Sequence, residues 1–157
     1  MVVQLVREWP PGFGGVERVA HEIADSSKGT VYSFDYQRKR VRLADSLPVK
    51  YTRVLLKGFR LGRIMIPRPD KKLFYLINDT RPIIGHLPSV EVLLVLLILR
   101  WAGKKRKIAI YWHAIIQSNA NSPAEWLYKI YQLIAVRMLF VFDAVIVTSP
   151  PMSRSLQ

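Results

Sequence analysis

The chain has 157 residues, which allows one domain with a hydrophobic core and is too short for a complete two-domain enzyme. Half of its residues are hydrophobic and 22% are charged, which excludes a disordered tail and a charged coiled coil. It carries 24 Lys and Arg against 11 Asp and Glu, and this net charge of +13 favours polyanionic partners such as anionic lipid, nucleic acid or phosphorylated ligands. The absence of cysteine excludes a disulfide scaffold, thiolate metal sites and thiol catalysis.

The sequence has neither the pattern of a signal peptide nor that of a membrane-spanning helix. The apolar stretch at the N-terminus is too short for a signal peptide and no basic region precedes it. The most apolar segment, residues 90–102, contains Glu91 and Arg100 and is shorter than the roughly 20 residues that a bilayer requires. We therefore expect a buried helix at residues 90–102, with a membrane-inserted helix as the alternative. The chain as a whole is expected to be cytoplasmic and able to bind peripherally to the inner face of a membrane.

The N-terminal third predicts a strand, a glycine loop, a helix and then two strands. Residues 2–6 form an apolar run that stops at a Pro-Pro-Gly-Phe-Gly-Gly loop, the pattern of a buried strand entering a turn. Residues 30–36 and 51–56 are rich in β-branched and aromatic side chains, which favours strands. Between the strands 2–6 and 30–36 a helix is predicted, because apolar residues recur with helical spacing at Val16, Val19, Ala20, Ile23 and Ala24. Gly29 is expected to end this helix.

The rest of the chain alternates predicted helices with predicted strands. Proline at the first helical position and a preceding cap residue are the signals that place the helix starts. The predicted helices are 69–77, 90–102 with Ser89 as its cap and Gly103 at its end, and one that begins at the capping box Ser122-Pro123-Ala124-Glu125. The predicted strands are 82–87, 107–112 and 144–148. The last helix is expected to bury an apolar face of Ala124, Leu127, Tyr128, Tyr131, Ile134, Ala135 and Met138.

Alternating strands and helices, with later strands that are continuously apolar, favour an α/β fold with a doubly wound, mostly parallel sheet. In such sheets ligands bind beyond the carboxyl ends of the strands. The loops after Val6, Leu87, Trp112 and Thr148 should therefore share one edge of the sheet.

Gly14 and Gly15 lie between the first strand and the first helix. The start of a helix offers free N–H groups and a positive dipole end, and glycine lets a phosphate approach the backbone, so the pair predicts an anion site. The loop matches neither the P-loop pattern nor the dinucleotide fingerprint. A tight turn with no ligand is the alternative interpretation. The loop is also expected to need a positive φ at Gly15, which a β-branched side chain would strain.

Three segments together resemble a known family. They are the block Pro11-Gly12-Phe13-Gly14-Gly15-Val16-Glu17-Arg18-Val19, the strand ends at His86 and at Trp112-His113, and the block Phe142-Asp143-Ala144-Val145-Ile146-Val147-Thr148-Ser149. In order and spacing they are similar to the N-terminal, Rossmann-like half of GT-B glycosyltransferases, and more narrowly to the retaining family 4, the glycosyl transferases group 1. The resemblance covers almost the whole chain, which implies a single N-terminal acceptor-side domain over 1–157 whose C-terminal donor domain, with the paired-glutamate motif E-x7-E, is absent.

The resemblance also implies a set of roles. His113 would be the catalytic residue near the transferred sugar, and Gly14 and Gly15 would touch the donor diphosphate. The residues implied as acceptor or sugar contacts are Glu17, His86 and Ser149. The family implies transfer of a hexose from a nucleotide-sugar to a glycan or lipid-linked acceptor, as in polysaccharide biosynthesis, with no metal and no further cofactor, and this half alone is expected to be inactive.

Each histidine also has a structural interpretation. A histidine at the end of an apolar strand is often only a hydrogen-bonded residue at the sheet edge, which applies to His113 and His86. His21 lies four residues after Glu17 on the first helix, so a surface ion pair is expected there. Three dispersed histidines have no metal-ligand spacing.

Positive charge is concentrated in residues 37–72, which hold twelve basic and two acidic residues. Apolar residues such as Phe59 and Ile66 stand among them, which suits an anionic membrane surface. The residues expected to form this membrane or anion patch are Arg38, Lys39, Arg40, Arg42, Lys57, Arg60 and Arg63, with a second basic cluster at 104–107. Nucleic acid is the weaker alternative, because no recognition-helix or RNP-like signature accompanies the charge. A non-enzymatic basic α/β module that binds membrane or nucleic acid is the alternative to a glycosyltransferase.

Overall fold

A computed structural model of the chain describes residues 1–8, 14–34, 48–62, 64–103, 105–114 and 123–148. Six strands form one entirely parallel sheet and two form a separate antiparallel hairpin. The sheet strands are β1 (Val3–Leu5), β2 (Thr30–Phe34), β3 (Thr52–Leu56), β6 (Ile83–Leu87), β7 (Ile108–Trp112) and β8 (Ala144–Val147), and the hairpin strands are β4 (Gly58–Leu61) and β5 (Ile64–Pro67). The helices are α1 (Gly15–Ser27), α2 (Lys71–Asn78), α3 (Val90–Trp101) and α4 (Pro123–Arg137), followed by a 3-10 turn (Leu139–Val141).

The spatial order of the sheet, β3-β2-β1-β6-β7-β8, confirms the predicted doubly wound α/β fold. Counted among the sheet strands alone, this is the order 3-2-1-4-5-6 of a Rossmann-like sheet. The order reverses between β1 and β6, and β1 pairs in parallel with both β2 and β6. The carboxyl ends of all six strands therefore lie on one edge, as predicted.

Helix α1 covers one face of the sheet and packs on it through Ala20 and Ala24, which belong to a small core cluster with Val6, Val31 and Tyr51. The helix ends at Ser27, two residues before the predicted glycine: the C-cap residue Lys28 takes the left-handed conformation with φ of 49°, and its N–H donates to the Ala24 carbonyl. Gly29 is needed for a different reason. A side chain there would run into the carbonyl oxygen of Val2, where the chain enters β2 beside β1.

Helices α2, α3 and α4 cover the opposite face, where the main core cluster lies. Asp70 caps α2 by accepting from Leu73 N–H, so this helix begins at Lys71 and not at Pro69. Ser89 caps α3 by accepting from Val92 N–H, as predicted. On α4 the buried stripe is narrower than predicted: Tyr131 and Ala135 pack inward, whereas Leu127 and Ile134 are mostly exposed.

The β4–β5 hairpin was not predicted from the sequence, because residues 58–67 mix basic and apolar residues without a regular alternation. Its strands pair in register from Gly58 with Pro67 to Leu61 with Ile64, and Gly62 supplies a positive φ of 60° at the turn. Met65 is buried in the main core, so the hairpin is fixed on the same side of the sheet as α2, α3 and α4.

Candidate functional site

His86 and His113 meet at the carboxyl edge of the sheet, on the face that α1 covers. His86 is the fourth residue of β6 and only 1% exposed, and it pairs across the ladder with Tyr111 of β7. His113 follows β7 by one residue, and its N–H donates to the Leu87 carbonyl, which continues the ladder. The two rings lie side by side, with His113 Nε2 at 2.8 Å from His86 Nδ1. Their neighbour Tyr111 stacks on the His113 ring at 4.4 Å between centroids.

A hydrogen-bonded chain continues from His86 into α1. The Nε2 atom of His86 lies 2.8 Å from the Gln4 side-chain oxygen, and the Gln4 side-chain nitrogen donates to the Ala20 carbonyl over 2.9 Å. Gln4 is fully buried in the middle of β1. We call this arrangement the histidine chain: His113, His86, Gln4 and the Ala20 carbonyl. It joins β1, β6, the residue that follows β7, and helix α1. It lies where the strand order reverses, between β1 and β6.

The far end of the histidine chain determines its proton positions. The Ala20 carbonyl can only accept, so Gln4 presents its N–H to Ala20 and its oxygen to His86. The proton of neutral His86 must then sit on Nε2, which leaves Nδ1 to accept from the Nε2–H of His113. His113 is therefore held as the tautomer that carries its lone pair on Nδ1, and this atom can accept a hydrogen bond from a ligand hydroxyl.

Burial keeps both imidazoles neutral. Desolvation, with a smaller contribution from neighbouring His113, lowers the pKa of His86 from 6.5 to about 3. Desolvation alone lowers the pKa of His113 to about 4. Near neutral pH the pair therefore acts through hydrogen bonds and not through positive charge.

The glycine loop differs from the expectation in one respect. Gly14 has φ of −170°, which is ordinary extended backbone, and a side chain placed at Gly15 would have no neighbour within 4 Å. Neither glycine is required by a left-handed conformation, so the idea that Gly15 needs a positive φ is wrong. The Glu17 carboxylate folds back over Gly14, and burial raises the pKa of this carboxyl, partly offset by a hydrogen bond from its own backbone N–H. The start of α1 thus already holds an anionic side chain, which a bound phosphate would have to displace.

A second polar cluster stands at the same edge, where α3 begins. Glu91 is only 2% exposed, and one of its oxygens accepts from the Ser89 hydroxyl over 2.8 Å. Its other oxygen accepts from Met65 N–H and lies 3.5 Å from Arg7 Nε. Arg7 lies two residues after the end of β1, so the Glu91 carboxylate connects the strand end, the helix start and the hairpin.

The histidine chain brings together two predicted site residues, His86 and His113. Ser149 and the patch members Arg38, Lys39, Arg40, Arg42 and Arg63 lie outside the described residues. Sequence reasoning missed Gln4, Arg7 and Glu91. Gln4 and Glu91 had a usable signal, because each is a lone polar residue inside an otherwise apolar segment.

Two further expectations about basic residues and histidine need correction. His21 does not form the expected ion pair with Glu17: its Nδ1 lies 3.1 Å from the Tyr51 hydroxyl. In the predicted second basic cluster, Arg106 is buried and donates to the carbonyls of Leu76 and Arg81. These hydrogen bonds stabilise the end of α2 and leave Arg106 inaccessible to a polyanion. Lys107 contacts Asp143, at the amino edge of the sheet, opposite the histidine chain.

Within the described ranges no group of three or more potential ligand side chains is arranged to hold a metal ion. None of the helices in the described part of the chain is long and apolar enough to span a bilayer. Comparisons with protein-family models, with curated proteins and with solved structures found no match for this chain.

Proposed function

We propose that this chain is the N-terminal, acceptor-side domain of a glycosyltransferase that resembles the retaining GT-B enzymes of family 4. It would work with a C-terminal domain that binds most of a nucleotide-sugar donor, and it would transfer a hexose to a glycan or lipid-linked acceptor. The proposal builds on the Rossmann-like fold and on the motifs that carry the family resemblance. Its place would be peripheral, on the cytoplasmic face of a membrane.

The observation that carries the proposal is the histidine chain. A neutral imidazole with a fixed tautomer, at the carboxyl edge of a parallel sheet, suits recognition of a hydroxyl-rich ligand. In the proposed reaction His113 Nδ1 accepts a hydrogen bond from a hydroxyl of the transferred sugar. His86 and Gln4 would hold the His113 ring in place, which limits the reorganisation needed as the reaction proceeds.

Gly14 and Gly15 would receive the donor diphosphate at the start of α1, once the Glu17 carboxylate has moved aside. Glu17 would then be free to contact acceptor or sugar. Arg7, 35% exposed along its side chain and beside Glu91 at the same edge, adds a cation that would favour the diphosphate.

One observation favours the second candidate, a non-enzymatic basic module. The Glu17 carboxylate over Gly14 already satisfies the start of α1 without any ligand, as expected if the glycines serve only the turn. A nucleotide titration separates the two candidates. The glycosyltransferase proposal expects a nucleoside diphosphate to shift the amide resonances of Gly15 and Glu17, and the structural alternative expects no shift there.

The experiment joins the chain to a C-terminal GT-B domain that binds a nucleotide-sugar and assays transfer from radiolabelled nucleotide-sugars to lipid-linked acceptors. The chain alone should be inactive, because one half of the cleft neither binds the donor fully nor excludes water. In the joined protein, His113→Ala should lower kcat on the order of 10- to 100-fold through the lost hydrogen bond and positioning. Its thermal midpoint should change little.

The matched control is His21→Ala, because His21 lies on α1 and contacts Tyr51 away from the strand ends. It should leave kcat unchanged. Turnover by the 157-residue chain alone, or a His113→Ala protein with full kcat and a lowered thermal midpoint, would contradict the proposal and assign His113 a structural role.

A further inference from the structure

Exposed apolar side chains are concentrated on one side of the molecule. Of the sixteen large hydrophobic residues that are exposed in the described part of the chain, thirteen lie on the hairpin, α2, α3, α4 or the 3-10 turn. We call the outer surface of these elements the apolar face. Its exposed members are Phe59, Leu61, Ile66, Phe74, Tyr75, Leu94, Ile98, Trp101, Trp126, Leu127, Leu133, Ile134 and Phe140. Helix α1, on the other side of the sheet, contributes none.

The apolar face extends across neighbouring elements. Strand β5 packs against α3, and the Glu91 carboxylate of α3 holds the hairpin through Met65 N–H. On α3 the residues Leu94, Ile98 and Trp101 follow helical spacing along the side opposite the core. An open depression of about 510 Å³ on the outer side of α2 is lined mainly by apolar residues, including Phe74 and Tyr75. A face this apolar on a water-exposed protein marks an interaction surface.

The charges on the same elements are mostly positive. The described residues within 57–78, 90–101 and 123–141 include eight basic and three acidic residues. The basic residues are Lys57, Arg60, Arg68, Lys71, Lys72, Arg100, Lys129 and Arg137. Of the three acidic residues, Asp70 caps α2, Glu91 is buried and Glu125 lies in the first turn of α4. Arg68 lies over the Phe59 ring at 5.8 Å, so charge and apolar surface are interleaved on this face.

We propose that the apolar face is the membrane-binding surface of this protein, which inserts the aromatic and aliphatic side chains of α3, α4 and the hairpin into the interface of an anionic bilayer. Exposed Trp and Tyr are favoured at such interfaces, and Lys and Arg can extend their heads to lipid phosphates. A second copy of this chain is disfavoured as the occupant. A two-fold contact would place the eight basic residues of one copy against those of the other, with only Asp70, Glu91 and Glu125 as acidic residues on the same described elements.

The membrane-binding role of this surface rests on the peripheral membrane place given in the proposed function and specifies the face that would bind. Its residues are separate from those of the proposed reaction, so vesicle binding and sugar transfer can fail independently. With the apolar face against the bilayer, the sheet lies parallel to the membrane and α1 faces the water. The histidine chain then opens sideways, along the membrane surface, where a headgroup-linked acceptor would stand. Insertion also predicts binding that persists at a salt concentration where purely electrostatic attraction is screened.

The experiment measures co-sedimentation of the 157-residue chain with vesicles of phosphatidylcholine and phosphatidylglycerol at low and high salt. The triple variant Ile98→Ser, Trp101→Ser and Phe140→Ser removes three exposed members of the apolar face. It should bind about tenfold or more weakly at both salt concentrations, because binding scales with the apolar area inserted. The matched control is Ile146→Ser on β8: Ile146 is 39% exposed and Ile98 is 37% exposed, but Ile146 lies outside the apolar face. This control should bind like the original chain.

A second measurement works on folded protein even if the triple variant does not fold. Brominated lipids should quench the fluorescence of Trp101 and Trp126, so that Trp101→Phe and Trp126→Phe each remove part of the quenching. Trp112→Phe should not, because Trp112 is fully buried. The proposal is overturned if the original chain fails to bind vesicles, if neither exposed tryptophan is quenched, or if the triple variant binds as tightly as the control. It is also overturned if the face mediates a dimer that excludes vesicles.

Discussion

At the scale of single residues, the histidine chain couples a candidate site to the protein interior. His86 is too deeply buried to meet a ligand directly, and its 2.8 Å contacts on both sides leave it no free polar atom. In the proposed reaction its role would be to orient His113, whose ring is only half-buried. The hydrogen bonds of the histidine chain require both imidazoles to be neutral. The stability of the folded protein should therefore depend on pH.

The stability of the chain should fall as the pH is lowered from about 6.5. The pKa of His86 is about 3 and that of His113 about 4 in the folded chain, against 6.5 for an unperturbed imidazole. Between those values the unfolded chain binds protons that the folded chain does not. The free energy of unfolding is therefore highest above pH 6.5 and decreases by about 1.4 kcal/mol per pH unit for each histidine as the pH falls. The decrease stops below the folded pKa values.

The His86→Gln variant tests this dependence, since glutamine can keep a hydrogen bond to Gln4 but does not titrate. Urea unfolding at several pH values gives the free energy of unfolding as a function of pH. Near pH 5 the slope of this free energy against pH should be about 1.4 kcal/mol per pH unit smaller for the variant than for the original chain. Equal slopes would mean that the folded chain binds a proton at His86 as readily as the unfolded chain, which the buried contact does not allow.

At the scale of elements, Gly29 is explained by close approach to a neighbouring backbone and Gly62 by its positive φ, whereas Gly15 has neither constraint. Gly29 lies where the chain leaves α1 and passes the Val2 carbonyl on its way into β2. Gly15 opens α1 with free space around it. Gly29 precedes β2 and Gly15 begins α1, but only Gly29 is confined by backbone atoms that cannot move aside.

Gly29→Ala should therefore destabilise the fold by about 1 to 3 kcal/mol, because its methyl group would push β1 away from β2. Gly15→Ala is the matched control, and its free energy of unfolding should stay within about 0.5 kcal/mol of the original value. Chemical denaturation of both variants measures the difference. A Gly29→Ala protein as stable as the Gly15→Ala protein would show that the β1–β2 junction can open at little cost.

At the scale of the whole molecule, the two sides of the sheet have different surfaces. Helix α1 is polar and carries the acidic residues Glu17, Glu22 and Asp25, whereas the opposite side carries the apolar face and eight of the seventeen described basic residues. The highly basic segment 37–72 ends on that second side, at the hairpin and α2. An anionic surface would orient such a molecule before any side chain inserted.

Replacing Arg38, Lys39, Arg40 and Arg42 together by Ser should slow and weaken binding to anionic vesicles without unfolding the chain. The loss should be largest at low salt, because charge attraction is screened over about 8 Å at physiological ionic strength. This differs from the apolar-face variants, whose loss should persist at high salt. Sedimentation across a salt series separates the two, and equal binding to neutral vesicles would remove the electrostatic contribution.

The sequence by itself determined the fold class, because its signals are local. The cap at Ser89, the helical spacing in α1 and the continuous apolar runs of β6 and β7 each act within a few residues. The shared edge of the strand ends followed from parallel topology, and with it the placing of His86 and His113 near each other.

Only the tertiary structure decided how these residues act. Gln4 meets His86 across 82 positions of sequence, and Met65 meets Glu91 across 26. The tautomer of His113 depends on a carbonyl in α1, and the apolar face depends on the side of the sheet to which each helix crosses. Such contacts depend on distance in space, which neither periodicity nor composition encodes, so the polar residues that join the elements became interpretable only in the folded chain.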